Sequence, residues 1–220
     1  MIVVIQCQGR KQPDAGTLKT ASGLPVYFVA RPDLAPATSS LIYARPDDPS
    51  DHGPTWRQVL LEYNRTTANP LHLYPAARLY TDAVYDRLAG RFGLQNLYIL
   101  SAGWGLIRAD FLTPAYNITF SQSARGDKSY LRRLKSDRYR DFCLLPADTT
   151  EDVLFFGSRE YVPLFCSLTN GIKARRTVFY NTAQPPDAPG CILRRFSEAK
   201  RNTNWQFDCA NAYLDNLIDL

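Results

Sequence analysis

The sequence predicts an α/β protein in three layers, with a mostly parallel central sheet flanked by helices. Three observations carry that prediction. Short apolar runs rich in β-formers stand at residues 2–7, 97–100 and 152–156. Each run ends in a loop of small or polar residues. Segments with apolar residues at helical spacing lie between and after them. The 220 residues fit one α/β domain, 1–220, with ample core. A 45% hydrophobic and 21% charged composition is that of a globular chain rather than a disordered one.

The same composition excludes several function classes. No apolar run approaches the roughly 18 residues of a membrane span, so no membrane partner is expected. The amino terminus enters a strand without a basic leader, so no signal peptide is expected. Cys7, Cys143, Cys166, Cys191 and Cys209 are far apart, odd in number and lack a C-x-x-C pair. That weighs against a disulfide framework or a zinc site and points to a reducing cytoplasm. With His52 and His72 the only histidines, no metal and no other cofactor is expected. The net charge of +5 favours a polyanionic partner.

The first strand, 2–7, is followed by Gln8-Gly9-Arg10-Lys11. A glycine beside two cations can hold a phosphate through backbone N–H groups and charge; a solvated basic turn is the alternative. Strands are expected at 25–31 and 41–44. Asp47, Asp48 and Asp51 read as a polar lead into a helix at 54–64, buried through Trp56, Val59, Leu60 and Tyr63. A second helix is expected at 75–92, with Gly93 as its stop.

After the strand at 97–100 the chain breaks at Ser101-Ala102-Gly103-Trp104-Gly105. Two glycines around an indole allow positive φ or close approach of a ligand. Asp110, Pro114, Tyr116 and Asn117 follow with neither helical nor strand period. Ligands of open α/β sheets sit beyond the carboxyl ends of strands, which makes this loop a candidate site. A structural turn around a packed Trp is the alternative.

Residues 128–142 are expected as a basic helix, with Lys128, Arg132, Arg133, Lys135 and Arg138 interleaved with Tyr130 and Tyr139. Such cations can neutralise DNA phosphates, and the tyrosines can stack on bases. An exposed charged face is the alternative. The strand at 152–156 runs into Gly157-Ser158-Arg159-Glu160-Tyr161, where Ser158 can serve as N-cap of a helix to Gly171. Closing strands are expected at 175–180 and 190–195, and a terminal helix at 205–220.

Ser101, Gly105, Asp110, Pro114 and Tyr116 follow the pattern L-S-x-x-x-G-x-x-x-x-D-x-x-x-P-Y, with Ala115 inserted between Pro and Tyr. The turn at 157–161 is similar to A-S-D-E-Y, with Arg159 in place of an acid, and Lys11 stands after the first strand. On these motifs the chain resembles the YaaA-type family of peroxide-stress proteins and its shorter bacterial and phage relatives. The resemblance implies DNA contact in a cleft built on a mixed sheet. The layout is also similar to uracil-DNA-glycosylase-like folds, an analogy that does not fix function.

The leading expectation is a DNA glycosylase that flips out and excises a base, with modified bases and foreign DNA as its candidate substrates. Such an enzyme needs an aromatic surface, a reader of the base edge, phosphate clamps and a carboxylate. Trp104 or Tyr116 would stack, and Asn117 would read the base. Arg10, Lys11 and Arg159 would hold phosphates, with Gln8, Gly9, Ser101, Ser158 and Tyr161 lining the pocket. Asp110, or else Glu160 or Asp14, would be the acid–base group, and Lys11 is a second candidate for catalysis, as a Schiff-base nucleophile. The alternatives are a DNA-binding protein without catalysis and an enzyme on free nucleotides or nucleosides. No protein partner is expected. The turns near positions 10, 105 and 158 are expected to meet at the lip of one pocket; on different sides of the molecule they could share no chemistry.

Overall fold

The computed structural model describes residues 1–199 and 203–218. Strand β1 (Ile2–Gln6) is buried at every position. β2 (Val26–Phe28) and β3 (Ile42–Ala44) form a separate parallel pair. Helix α1 (Trp56–Tyr63) opens on a capping box, in which the Thr55 hydroxyl accepts from Gln58 N–H and the Gln58 amide accepts from Thr55 N–H.

β4 (Tyr74–Pro75) leads into α2 (Ala76–Leu79) and then α3 (Val84–Phe92). The single helix expected at 75–92 is therefore broken. At the break Tyr80 is extended and buried, and its backbone bridges Lys11. The Asp82 carboxylate accepts from Val84 N–H and restarts the helix. Gly93 ends α3 at φ +76, as its position in the sequence predicts.

β5 (Leu97–Ser101) turns back into β6 (Gly105–Arg108), an antiparallel hairpin where the sequence suggested an irregular loop. The Ser101 hydroxyl makes the turn by accepting from the N–H groups of Gly103 and Trp104, at 3.2 and 3.1 Å. β7 (Leu112–Thr113) pairs with β4, and β8 (Phe142–Cys143) with β6.

The helix expected at 128–142 does not form. Residues Gly126–Leu131 make a 3-10 turn, and the chain then runs irregularly to β8. The stretch lacks an apolar stripe to pack a helix, and Arg133 is drawn inside to pair with Asp141 and to donate to the Ala102 carbonyl at 2.8 Å. β9 (Val153–Phe156), α4 (Val162–Thr169), β10 (Arg176–Tyr180), β11 (Cys191–Arg195) and α5 (Trp205–Leu214) complete the order. α5 stops earlier than expected; the last two residues of the expected helix lie outside the described residues.

The result is a mixed α/β fold on a seven-stranded sheet of order β11-β10-β9-β1-β5-β6-β8. Strands β11, β10, β9, β1 and β5 run parallel; β6 and β8 run against them. No described helix is long and apolar enough to cross a membrane.

Gly105 marks where the β5–β6 hairpin is tightest. It sits at φ +89, and a Cβ there would lie 2.4 Å from the Phe142 carbonyl oxygen. Gly105→Ala is expected to cost at least ~2 kcal/mol in urea unfolding, from backbone strain and displacement of β8. Gly171→Ala, with nothing within 4 Å of the new Cβ, should stay within about 0.5 kcal/mol of wild type.

Candidate functional site

The chain leaves β1 for β5 on one side and returns later to β9 on the other. The strand order thus reverses at β1, and the carboxyl ends of β1 and β9 diverge into a crevice. Such a switch point is where open α/β sheets bind ligands. A cleft of about 600 Å³ lies there. Gln8 and Gly9 wall it after β1, residues 158–161 after β9, and Asn181 and Thr182 after β10. The segment after β7 adds Asn117 and Thr119, and the start of α5 adds Asn204 and Gln206.

Buried contacts fix the two central turns to each other. The Gln6 side-chain oxygen accepts from Ser158 N–H at 2.6 Å, and Tyr85 OH donates to the Gln6 carbonyl at 2.9 Å. Cys7 Sγ and Tyr161 OH lie 3.3 Å apart. Burial pushes the Tyr161 phenol well above its usual pKa, so it stays neutral. Asn117, on the cleft wall, donates its backbone N–H to the Phe28 carbonyl and its side-chain N–H to Tyr27 OH.

Glu160 is the carboxylate of this cleft. It is half-buried, and its side chain makes no hydrogen bond or ion pair with a described residue. Glu160 also walls an adjoining groove that carries Lys135 and Arg138. Arg159 joins the cleft to a further depression that again includes Lys135. The amide-rich cleft thus opens onto a border of mixed charge, where Lys135 and Arg138 stand with Asp137, and Arg133 with its partner Asp141.

Of the residues expected at one site, Gln8, Gly9, Asn117, Ser158, Arg159, Glu160 and Tyr161 come together. The N-cap role expected of Ser158 does not exist: α4 begins at Val162 with Tyr161 as its cap residue, and Ser158 faces the cleft. Arg10 is exposed beside Gly9 without walling the cleft.

Trp104, Tyr116, Ser101 and Asp110 fall elsewhere. Trp104 is fully buried, edge-on to Phe28 with ring centres 5.0 Å apart. Tyr116 is 2% exposed; its hydroxyl meets Ser101 Oγ and Tyr80 OH, each at 2.8 Å. Neither ring has a free face for a base, and Ser101 is spent inside this network, so the turn near 105 is buried and does not join those after β1 and β9 on the cleft wall, contrary to expectation. Asp110 follows β6, whose Arg108 pairs in register with Tyr98 near the start of β5. It therefore lies at the opposite end of the sheet from the cleft, ion-paired with Arg108 at 2.5 Å.

The expected phosphate contacts also divide. Arg133 is a buried strut, Arg132 is half-buried against Thr119, and Lys128 is exposed on the 3-10 turn. Lys135 and Arg138 stand on the groove.

Lys11 is partly buried and does not wall the cleft. Its Nζ lies 3.4 Å from the carbonyls of Gln8 and Gly9 and 4.1 Å from the Tyr116 ring centre. Burial lowers its pKa to about 8, against a smaller raising influence of Cys7. The unfolded chain, with a lysine near ~10.4, binds that proton more readily. Stability should therefore rise from about pH 8 to ~10.4 through this group. Urea unfolding at stepped pH should show wild type gaining on Lys11→Met across that window; parallel profiles would refute the assignment.

Gln6, Asn181, Thr182 and Gln206 escaped the sequence reading. Asn181 and Thr182 had a signal, since they follow a recognisable strand at its carboxyl end. Gln206 had none: it occupies a helix position like any other polar residue.

Among the described residues no group of three His, Cys, Asp or Glu side chains is arranged to hold a metal ion. No family model, curated protein or solved structure matches the chain.

Proposed function

We propose that this chain is a DNA-acting enzyme that takes a flipped nucleotide into the cleft and hydrolyses the bond between base and sugar. One observation carries the reading: Glu160, unpaired among the described residues, stands among amides and hydroxyls at the switch point, with Arg159, Lys135 and Arg138 along the adjoining walls. The amides of Gln8 and Asn117 can accept from, and that of Gln8 donate to, a base edge. Lys135, Arg138 and Arg159 suit the phosphates of the flanking chain.

In this scheme the base leaves with its bonding pair, and amide donors stabilise the charge that develops on it. The Glu160 carboxylate stabilises the sugar cation and takes a proton from the water that attacks C1′. That proton passes to the departed base, so water is the one reagent consumed. The resemblance of the loops to YaaA-type motifs supports DNA as the partner class. Modified bases in foreign DNA are the substrates we favour, and the cytoplasm, where free thiols persist, is the setting we infer.

The architecture we infer around the site is three-layered. β1 to β5 and β9 to β10 step in opposite directions across the sheet. Right-handed crossovers then put α3 and α4 on opposite faces.

The test is incubation with single- and double-stranded oligonucleotides, each carrying one base modification, followed by alkali at abasic sites. Strand cleavage with release of free base is expected on at least one substrate. Absence of abasic sites on all of them removes the reading. Release of base from free nucleosides or nucleotides alone would transfer the chemistry to a small-molecule enzyme.

A further inference from the structure

Folding sets side by side two of the cysteines that the sequence keeps apart. Cys166 on α4 and Cys191 at the start of β11 have their Sγ atoms 3.9 Å apart, and both are free thiols. The turn before Cys191 is held by Arg176, whose guanidinium donates to the carbonyls of Pro189 and Gly190 at 3.3 Å each. Gly190 takes φ +70, and a Cβ there would meet that guanidinium at 2.6 Å. The turn that aims one thiol at the other is thus fixed by a buried side chain. A disulfide bond is ~2.05 Å long, so closure is a short movement shared by two side chains.

The surroundings fit thiol chemistry. A hydrogen bond from Cys166 holds Cys191 below the usual thiol pKa, helped by the Arg176 charge and opposed by burial. The thiolate is the attacking form. Cys166 walls a depression of about 560 Å³ that also carries Lys135 and Arg159, with Asp187 the acid on its wall. That volume suits a small organic ligand, and the two cations favour an anionic one.

We propose that Cys166 and Cys191 form a reversible dithiol–disulfide site whose co-reactant is an anionic low-molecular-weight disulfide. One of the two thiols, as its thiolate, attacks one sulfur of that disulfide, forming a mixed disulfide and releasing a thiolate. The other gives its proton to solvent and attacks the protein sulfur of the mixed disulfide, which closes the internal bond and releases the second thiolate to take a proton. Two protein thiols are oxidised and one disulfide is reduced. The proposal stands apart from the DNA reading, because its reacting atoms and its assay are different; Lys135 and Arg159 are the residues the two share.

The test uses the whole protein in a Cys143→Ser background, which removes the exposed competing thiol. Native protein is incubated with oxidised glutathione, quenched with N-ethylmaleimide, and analysed by intact mass and peptide mapping. The expected product has lost two hydrogens and carries a Cys166–Cys191 linkage. Each serine variant should stop at one glutathione on the remaining cysteine of the pair, with no internal linkage. Lys135→Glu should slow the reaction with glutathione disulfide several-fold and leave that with neutral hydroxyethyl disulfide unchanged. If Cys166 and Cys191 remain as alkylatable as before, or link only in urea, the site is refuted. Equal slowing with both disulfides overturns the anionic co-reactant. Should a serine variant not fold, the peptide map of the parent protein decides by itself.

Discussion

Glu160→Gln is expected to slow base release by about 10²–10⁴-fold on whichever DNA the protein cleaves, with DNA affinity unchanged. The substitution keeps the shape of the side chain and removes its charge. In the proposed mechanism that charge is needed twice, to face the sugar cation and to take the proton from water. Binding should persist, because the amides of the cleft and the cations of Lys135, Arg138 and Arg159 remain. Single-turnover rates and fluorescence anisotropy separate the two quantities. Asp110→Asn is the internal comparison. Its carboxylate pairs with Arg108 at the far end of the sheet, so its rate should match wild type. An active Glu160→Gln, or an inactive but folded Asp110→Asn, would remove Glu160 from the chemistry.

The largest stability effect is expected from Arg57→Met, at about 3–5 kcal/mol. Arg57 is 4% exposed. It donates to Asp47 at 2.6 Å and to the carbonyls of Trp104 and Gly103 at 3.0 Å each. Methionine fills much of the space but leaves an anion and two buried carbonyls without this partner. Domains of ordinary stability have roughly 5–15 kcal/mol to lose, so the variant should melt at low urea or fail to accumulate. Arg57→Lys should recover part of the loss, since one ammonium cannot reach all three acceptors in the geometry of a planar fork. A urea midpoint close to wild type for Arg57→Met would show that water repairs the site.

The second prediction concerns the stretch that looked most functional in the sequence. The residues 101–105 combine two glycines, a serine and a Trp, a composition equally suited to a ligand loop and to a tight buried hairpin. Three consecutive carbonyls, those of Ala102, Gly103 and Trp104, are taken by Arg133 and Arg57. Neither arginine announces this locally. Arg133 sits in a run of cations that read as one basic helix, and Arg57 within an amphipathic helix. A long cation with five donors is drawn inward wherever several carbonyls converge, and that convergence exists only after folding.

Several features were legible from the chain alone. The buried strands announced themselves as unbroken apolar runs, and Gly93 announced the end of a helix. Gly9 and Ser158 could be placed at strand ends, because strand length and the following turn are local properties. Tertiary structure alone decided which strand ends share a crevice, since neighbours in a parallel sheet are set by crossover connections rather than by sequence proximity. It set Gln6 against Ser158, sent Asp110 to the far edge, and turned Trp104 and Tyr116 into core. Residue types are chosen locally, whereas the partners of a side chain are chosen by long-range packing of the whole sheet.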